Sequence, residues 1–83
     1  MARTSVTAGA IDRALAAVFT SEMIRQGVSY RTVSAQANLA PTRVYLILAA
    51  QRPFYARDVV ALAEALGLPM ATVVKRAQQQ LTP

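Results

Sequence analysis

Eighty-three residues fit one small domain, which buries roughly 60% of the surface its unfolded chain exposes. With no cysteine and no histidine, the chain excludes disulfides, thiol and imidazole catalysis and the usual zinc sites. Nine basic residues against four acidic ones leave a net charge of +5, which suits a polyanionic partner, nucleic acid or an anionic membrane surface, or serves solubility alone.

Met1 to Val6 reads as a flexible N-terminal arm carrying Arg3, with no apolar period. Thr7 is the candidate N-cap of a first helix running to about Gln26, and Gly27 sits where a C-terminal glycine relieves left-handed backbone. Ile11, Ala14, Leu15, Val18 and Phe19 form its expected buried stripe, with Glu22 falling near the middle and Met23 and Ile24 flanking it. Ser29 caps a second helix over about Tyr30 to Ala37, its side chain accepting from the Arg31 or Thr32 amide. Asn38 follows, a residue that tolerates the left-handed conformation. Pro41 fits the first turn of a third helix reaching about Ala49, because its missing amide hydrogen has no partner there anyway.

Gln51, Arg52, Pro53 and Phe54 form a connecting loop, since Pro53 disfavours helical geometry at Arg52. A fourth helix from about Ala56 to Leu66 carries Val59, Leu62, Ala63 and Leu66 at helical spacing, and Gly67 ends it. Pro69 starts a fifth through about Gln80, with Val73, Val74, Ala77 and Leu81 as apolar positions and a polar end that frays. Lys75 and Arg76 are expected to offset the negative end of that helix. The expectation is an all-α, compact bundle of about five helices over residues 7–81, with no strand alternation and no second domain.

Helices 2 and 3 make the demands of a helix-turn-helix, which needs small or apolar residues where the two cross. Val33 and Ser34 face inward, Leu39 plugs the turn, and Val44 and Ile47 anchor the third helix. Thr42, Arg43 and Tyr45 then point outward. From Gly27 to Leu68 the chain resembles the phage repressor and Cro-type (XRE-like) helix-turn-helix family. GVSYRTVSAQANLAPTRVYLIL covers the pattern's glycine, capping serine, inner residues and recognition helix, and DVVALAEALGLP matches the helix that follows. Departures are Asn38 and Ala50 where glycine is common, Ser34 for alanine, Tyr30 for glutamine, and the apolar pair Met23 and Leu48 where members often place an arginine–glutamate pair. A hydrophobic contact in place of such a pair can be neutral or stabilising.

The resemblance implies double-stranded DNA as partner. Ala40, Pro41, Thr42, Arg43 and Tyr45 would face base edges, with Arg43 a phosphate clamp or a guanine reader. Ser29, Tyr30, Arg31, Gln51 and Arg52 would grip phosphate. Arg3 would track a neighbouring groove if the arm orders on DNA. Taken singly, Arg31, Arg43, Arg52 and Arg57 read equally well as solvated surface charges. Apolar residues of the fifth helix either close the core or form a homodimer contact, as many relatives do.

The four acidic residues, Asp12, Glu22, Asp58 and Glu64, are scattered, and no glycine-rich phosphate loop is present. No catalytic residue, metal, cofactor or small-molecule ligand is therefore expected. The longest apolar run, Val44 to Ala50, falls far short of the ~20 residues of a membrane span. No secretory signal is evident, so a cytoplasmic place in a bacterial or phage-infected cell, associated with the nucleoid, is the expectation. The leading expectation for function is a sequence-specific transcriptional regulator. The alternatives are an architectural, recombination-directionality or antitoxin-type DNA-binding protein, or a protein-interaction module docking through exposed Leu46, Leu48 and Phe54.

Overall fold

The computed structural model describes residues 8–82. It contains five helices: α1 (Ala10–Gln26), α2 (Tyr30–Ala37), α3 (Pro41–Leu48), α4 (Ala56–Leu66) and α5 (Met70–Leu81), with no strand among the described residues. The flexible-arm expectation for residues 1–6, the Arg3 contact and Thr7 lie outside the described residues. The first helix starts later than expected. Gly9 is its N-cap, and the Gly9 amide donates to Asp12 Oδ2 at 2.8 Å. α5 also runs one residue further than expected, to Leu81.

Four helix ends share one closure. A residue in the left-handed conformation follows each of α1 to α4: Gly27 (φ 71°), Asn38 (φ 58°), Ala50 (φ 58°) and Gly67 (φ 71°). In each case its amide and the next one donate back to the last turn. Gly27 and Val28 reach the Ile24 and Met23 carbonyls, and Asn38 and Leu39 reach Ala35 and Ser34. Ala50 and Gln51 reach Ile47 and Leu46, and Gly67 and Leu68 reach Glu64 and Ala63. This pair of bonds satisfies carbonyls that the helix leaves open. At three ends the second donor is apolar (Val28, Leu39, Leu68) and packs on the core; at the end of α3 it is the exposed Gln51. Asn38 makes its turn as its chemistry suggests, whereas Ala50 holds a conformation unfavourable to a residue with a Cβ.

Every helix contributes a fully buried side chain to one core: Phe19 from α1, Val33 from α2, Val44 and Ile47 from α3, Leu62 from α4 and Val73 from α5. Ala14, Val18 and Ala77 form a smaller cluster where α1 and α5 approach. Three expected core positions face solvent instead. Ile11 is 61% exposed, and Val74 and Leu81 are also exposed, because α1 and α5 turn Ala14, Val18, Val73 and Ala77 toward each other.

Glu22, amid the apolar stripe of α1, is buried and fully partnered. It accepts from Arg25 and Gln26 on its own helix and from Arg76 Nη1 on α5 at 3.2 Å. Gln26 also donates to the Leu66 carbonyl at 2.7 Å, which ties α1 to the end of α4. Arg25 first, then Gln26 and Arg76, hold the Glu22 carboxyl down at about 2, against burial, which pushes it up. The same contact raises the Arg25 pKa. Arg76 therefore bridges α5 to α1 rather than offsetting its helix end; neither it nor Lys75 falls in the last turn.

Candidate nucleic-acid interface

The turn between α2 and α3 is built from local chemistry. Ser29 Oγ accepts the Thr32 amide at 3.2 Å and lies 3.1 Å from Thr32 Oγ1. Ser34, 1% exposed, donates its hydroxyl to the Arg31 carbonyl at 2.8 Å, so a polar residue is accommodated where the helices cross. Val33, Val44 and Ile47 are completely buried, and Leu39 packs against the same core. Met23 belongs to that apolar cluster and Leu48 packs against it.

Burying Val44 and Ile47 turns Thr42 and Tyr45 outward, preceded by exposed Ala40 and Pro41. Tyr45 is 52% exposed, and its ring lies 5.7 Å from that of Tyr30, at 56°. The Arg31 guanidinium sits over the other ring of this pair, 5.5 Å from the Tyr30 centroid. Tyr30, Arg31, Pro41, Thr42 and Tyr45 line a cavity of about 380 Å³ at the head of the two helices. Five of the expected contact residues thus come together. Gln51 and Arg52 are exposed in the loop after α3, and Ser29 is exposed at the start of α2.

Arg43 departs from the outward set. Its Nη2 donates to Asp58 Oδ2 at 2.5 Å and to the Pro53 carbonyl at 3.1 Å, and its guanidinium carbon lies 4.6 Å from the Tyr55 ring centroid. Asp58 is 1% exposed and also accepts the Tyr55 amide at 2.7 Å, which closes the start of α4 where no serine or threonine stands. The side chain expected at base edges or phosphate thus turns back onto the neighbouring helix. Its partner lies fifteen residues on, which no local pattern announces.

Two further groups stand beside this site: Asp12, whose tertiary contact sequence reasoning misses, and Arg57, which it weighs only as one of several surface arginines. Asp12 Oδ1 accepts the Phe54 amide at 2.8 Å, which fixes the α3–α4 loop on the first turn of α1. Arg57, on the first turn of α4, shares a cavity of about 590 Å³ with Asn38, Leu39, Ala40 and Arg43 and is an exposed cation beside the turn. The only signal for Asp12 and Asp58 was their position three residues into a helix, where a carboxylate can close onto the N-cap amide.

Leu46, Leu48 and Phe54, expected to be exposed, are half-buried. Leu48 and Phe54 pack on the core, with the Phe54 ring 5.8 Å from Phe19. No group of three or more acidic, histidine or cysteine side chains that could hold a metal occurs among the described residues. No helix of the described residues is long and apolar enough to cross a membrane.

The architecture is an all-α bundle in which short α2 and α3 pack across a tight turn. Compared with known proteins, the chain matches no family model and no curated protein.

Proposed function

We propose that this chain is a sequence-specific, double-stranded DNA-binding transcriptional regulator of the phage repressor and Cro type, and that it inserts α3 into the major groove of an operator. The observation that carries the reading is the head of the two helices. Ala40, Pro41, Thr42 and Tyr45 project from a helix whose opposite side is sealed by Val44 and Ile47, with Arg31 alongside. An α-helix fits the major groove, where base edges carry a distinguishing pattern. Arg31, Arg52 and Arg57 are exposed, form no ion pair among the described residues, and supply the charge that phosphate contact needs. Ser29, Tyr30 and Gln51 add neutral donors.

A homodimer through α5 is part of the proposal: Met70, Val74 and Leu81 lie on its exposed side. Two subunits would then read half-sites about 34 Å apart. The setting that goes with this function is the bacterial or phage-infected cytoplasm. The alternative of docking a protein through Leu46, Leu48 and Phe54 loses support because those side chains are half-buried.

Selection of duplexes from a random pool, followed by gel-shift titration of the enriched sequence against a scrambled one, tests the reading. Tight binding to the enriched duplex, weakened by Thr42→Ala and Tyr45→Ala, is expected. Equal, weak binding to every duplex would sink it.

A further inference from the structure

The exposed head of α3 lacks a cation. Arg43 is its one charged residue, and its guanidinium is held by Asp58, the Pro53 carbonyl and the Tyr55 ring, with the side chain only 25% exposed. Swinging Arg43 out to a base would leave the buried Asp58 carboxylate with the Tyr55 amide alone, and stranding a buried charge is strongly unfavourable. The surface left for the groove is the Ala40 methyl, the Pro41 ring, the Thr42 methyl and hydroxyl, and the Tyr45 ring and hydroxyl. The Tyr45 ring is steadied by its contact with Tyr30.

Base edges differ in what they ask of such a surface. Guanine shows two acceptors in the major groove, best met by the fork of an arginine or by a lysine. Thymine shows one acceptor and a 5-methyl group, which is met by apolar contact. A face of methyl groups, a proline ring and a tyrosine, with two hydroxyls, matches the second pattern and lacks the donor fork for the first. The +5 chain with Arg31 beside this face supplies attraction to the duplex without reading its sequence.

We propose that the head of α3 recognises thymine 5-methyl groups, so that the target half-site is defined by thymines in the major groove and not by guanine hydrogen bonds. The inference rests on the DNA-binding reading above and adds the base chemistry that reading leaves open. Thr42 and Tyr45 are the specificity-determining residues, and Arg43 is a structural one.

The test uses the intact protein and chemically altered duplexes. A sequence enriched from a random pool is resynthesised with deoxyuridine for each thymine in turn, with 7-deazaguanine for guanine, and with a 5-methylcytosine·guanine pair in place of a critical thymine·adenine pair. Removing the methyl at a thymine that is read should weaken binding about fourfold, the effect of withdrawing one methyl-sized group from apolar contact. The 5-methylcytosine pair should restore part of that loss, and 7-deazaguanine should change nothing. Tyr45→Ala should abolish the difference between thymine and deoxyuridine at one position. Full binding to the deoxyuridine duplex with thymine·adenine preference retained would mean that groove shape is read, and it would overturn the inference. A guanine-dependent site weakened by 7-deazaguanine would overturn it as well, with the DNA-binding reading left standing. Absence of any enriched sequence would overturn both.

Discussion

Ala50 occupies a position built for glycine, and replacing it should stabilise the domain. Its φ of 58° lies in the left-handed region, where a Cβ crowds the following carbonyl by roughly 1–2 kcal/mol. The conformation persists because the Ala50 and Gln51 amides close onto the Ile47 and Leu46 carbonyls at 3.1 and 2.9 Å. Ala50→Gly removes the crowding and leaves both bonds in place. Against this stands the greater freedom of glycine in the unfolded chain, about 0.4–1 kcal/mol. The difference is a stabilisation of about 1 kcal/mol, which in a domain of this size raises Tm by roughly 4–8 °C. Gly27→Ala is the mirror experiment. Its φ is 71° and a Cβ there meets nothing within 4 Å, so no clash adds to the same balance of left-handed strain against unfolded-chain freedom, a net loss of about 1 kcal/mol. Thermal unfolding followed by circular dichroism measures both variants. An unchanged or lower Tm for Ala50→Gly, beside a clear loss for Gly27→Ala, would refute the assignment of strain to residue 50.

Glu22 sets an acid limb. Its carboxyl titrates at about 2 in the folded chain against an ordinary 4.5, so the stability it contributes is fully present above pH 4.5 and is lost as pH falls from 4.5 toward 2. Urea midpoints across that window should fall in the wild type and fall less steeply in Glu22→Gln; parallel curves would remove Glu22 from the cause. Asp58→Ala should cost about 2–3 kcal/mol in urea unfolding, since it strips the Tyr55 amide and the Arg43 guanidinium of a buried acceptor; a loss below about 0.5 kcal/mol would show that water replaces it freely. On an enriched duplex, phosphate contacts by Arg31, Arg52 and Arg57 predict a slope of log affinity against log salt of about −3 per subunit. A slope near zero would exclude those contacts.

Helix limits were legible where their signals are local. The Ser29 hydroxyl and the left-handed tolerance of Asn38 bracket α2 at Tyr30 and Ala37, and Gly67 ends α4 at Leu66, because each acts on backbone within a few residues. The inward set Val33, Ser34, Val44 and Ile47 was legible for the same reason, as helical period alone aligns it. The start of α1 was not. Asp12 serves two amides at once, that of Gly9 and that of Phe54, forty-two residues away, and the second contact exists only in the folded chain. Ile11 was misjudged because the sequence does not reveal that α1 presents Ala14 and Val18 to Ala77. The inward turn of Arg43 was not legible because its partner Asp58 sits fifteen residues on, on a helix that only the folded chain lays beside α3.

These contacts share a consequence for charge. Asp12 holds two backbone amides, Glu22 holds Arg25 and Arg76, and Asp58 holds Arg43. Among the described residues the cations left without an ion pair are Arg13, Arg31, Arg52, Arg57 and Lys75. Arg31 opens α2, Arg52 follows α3 and Arg57 opens α4, so three of the five lie on elements that flank α3. A chain with few acids and no serine or threonine to cap α4 uses a carboxylate there, and that carboxylate takes in the one arginine of α3. The same economy of polar groups that stabilises the start of α4 therefore leaves the exposed side of α3 uncharged and bordered by cations. Under the proposed DNA-binding function, attraction to the duplex and discrimination among its sequences would fall to different residues.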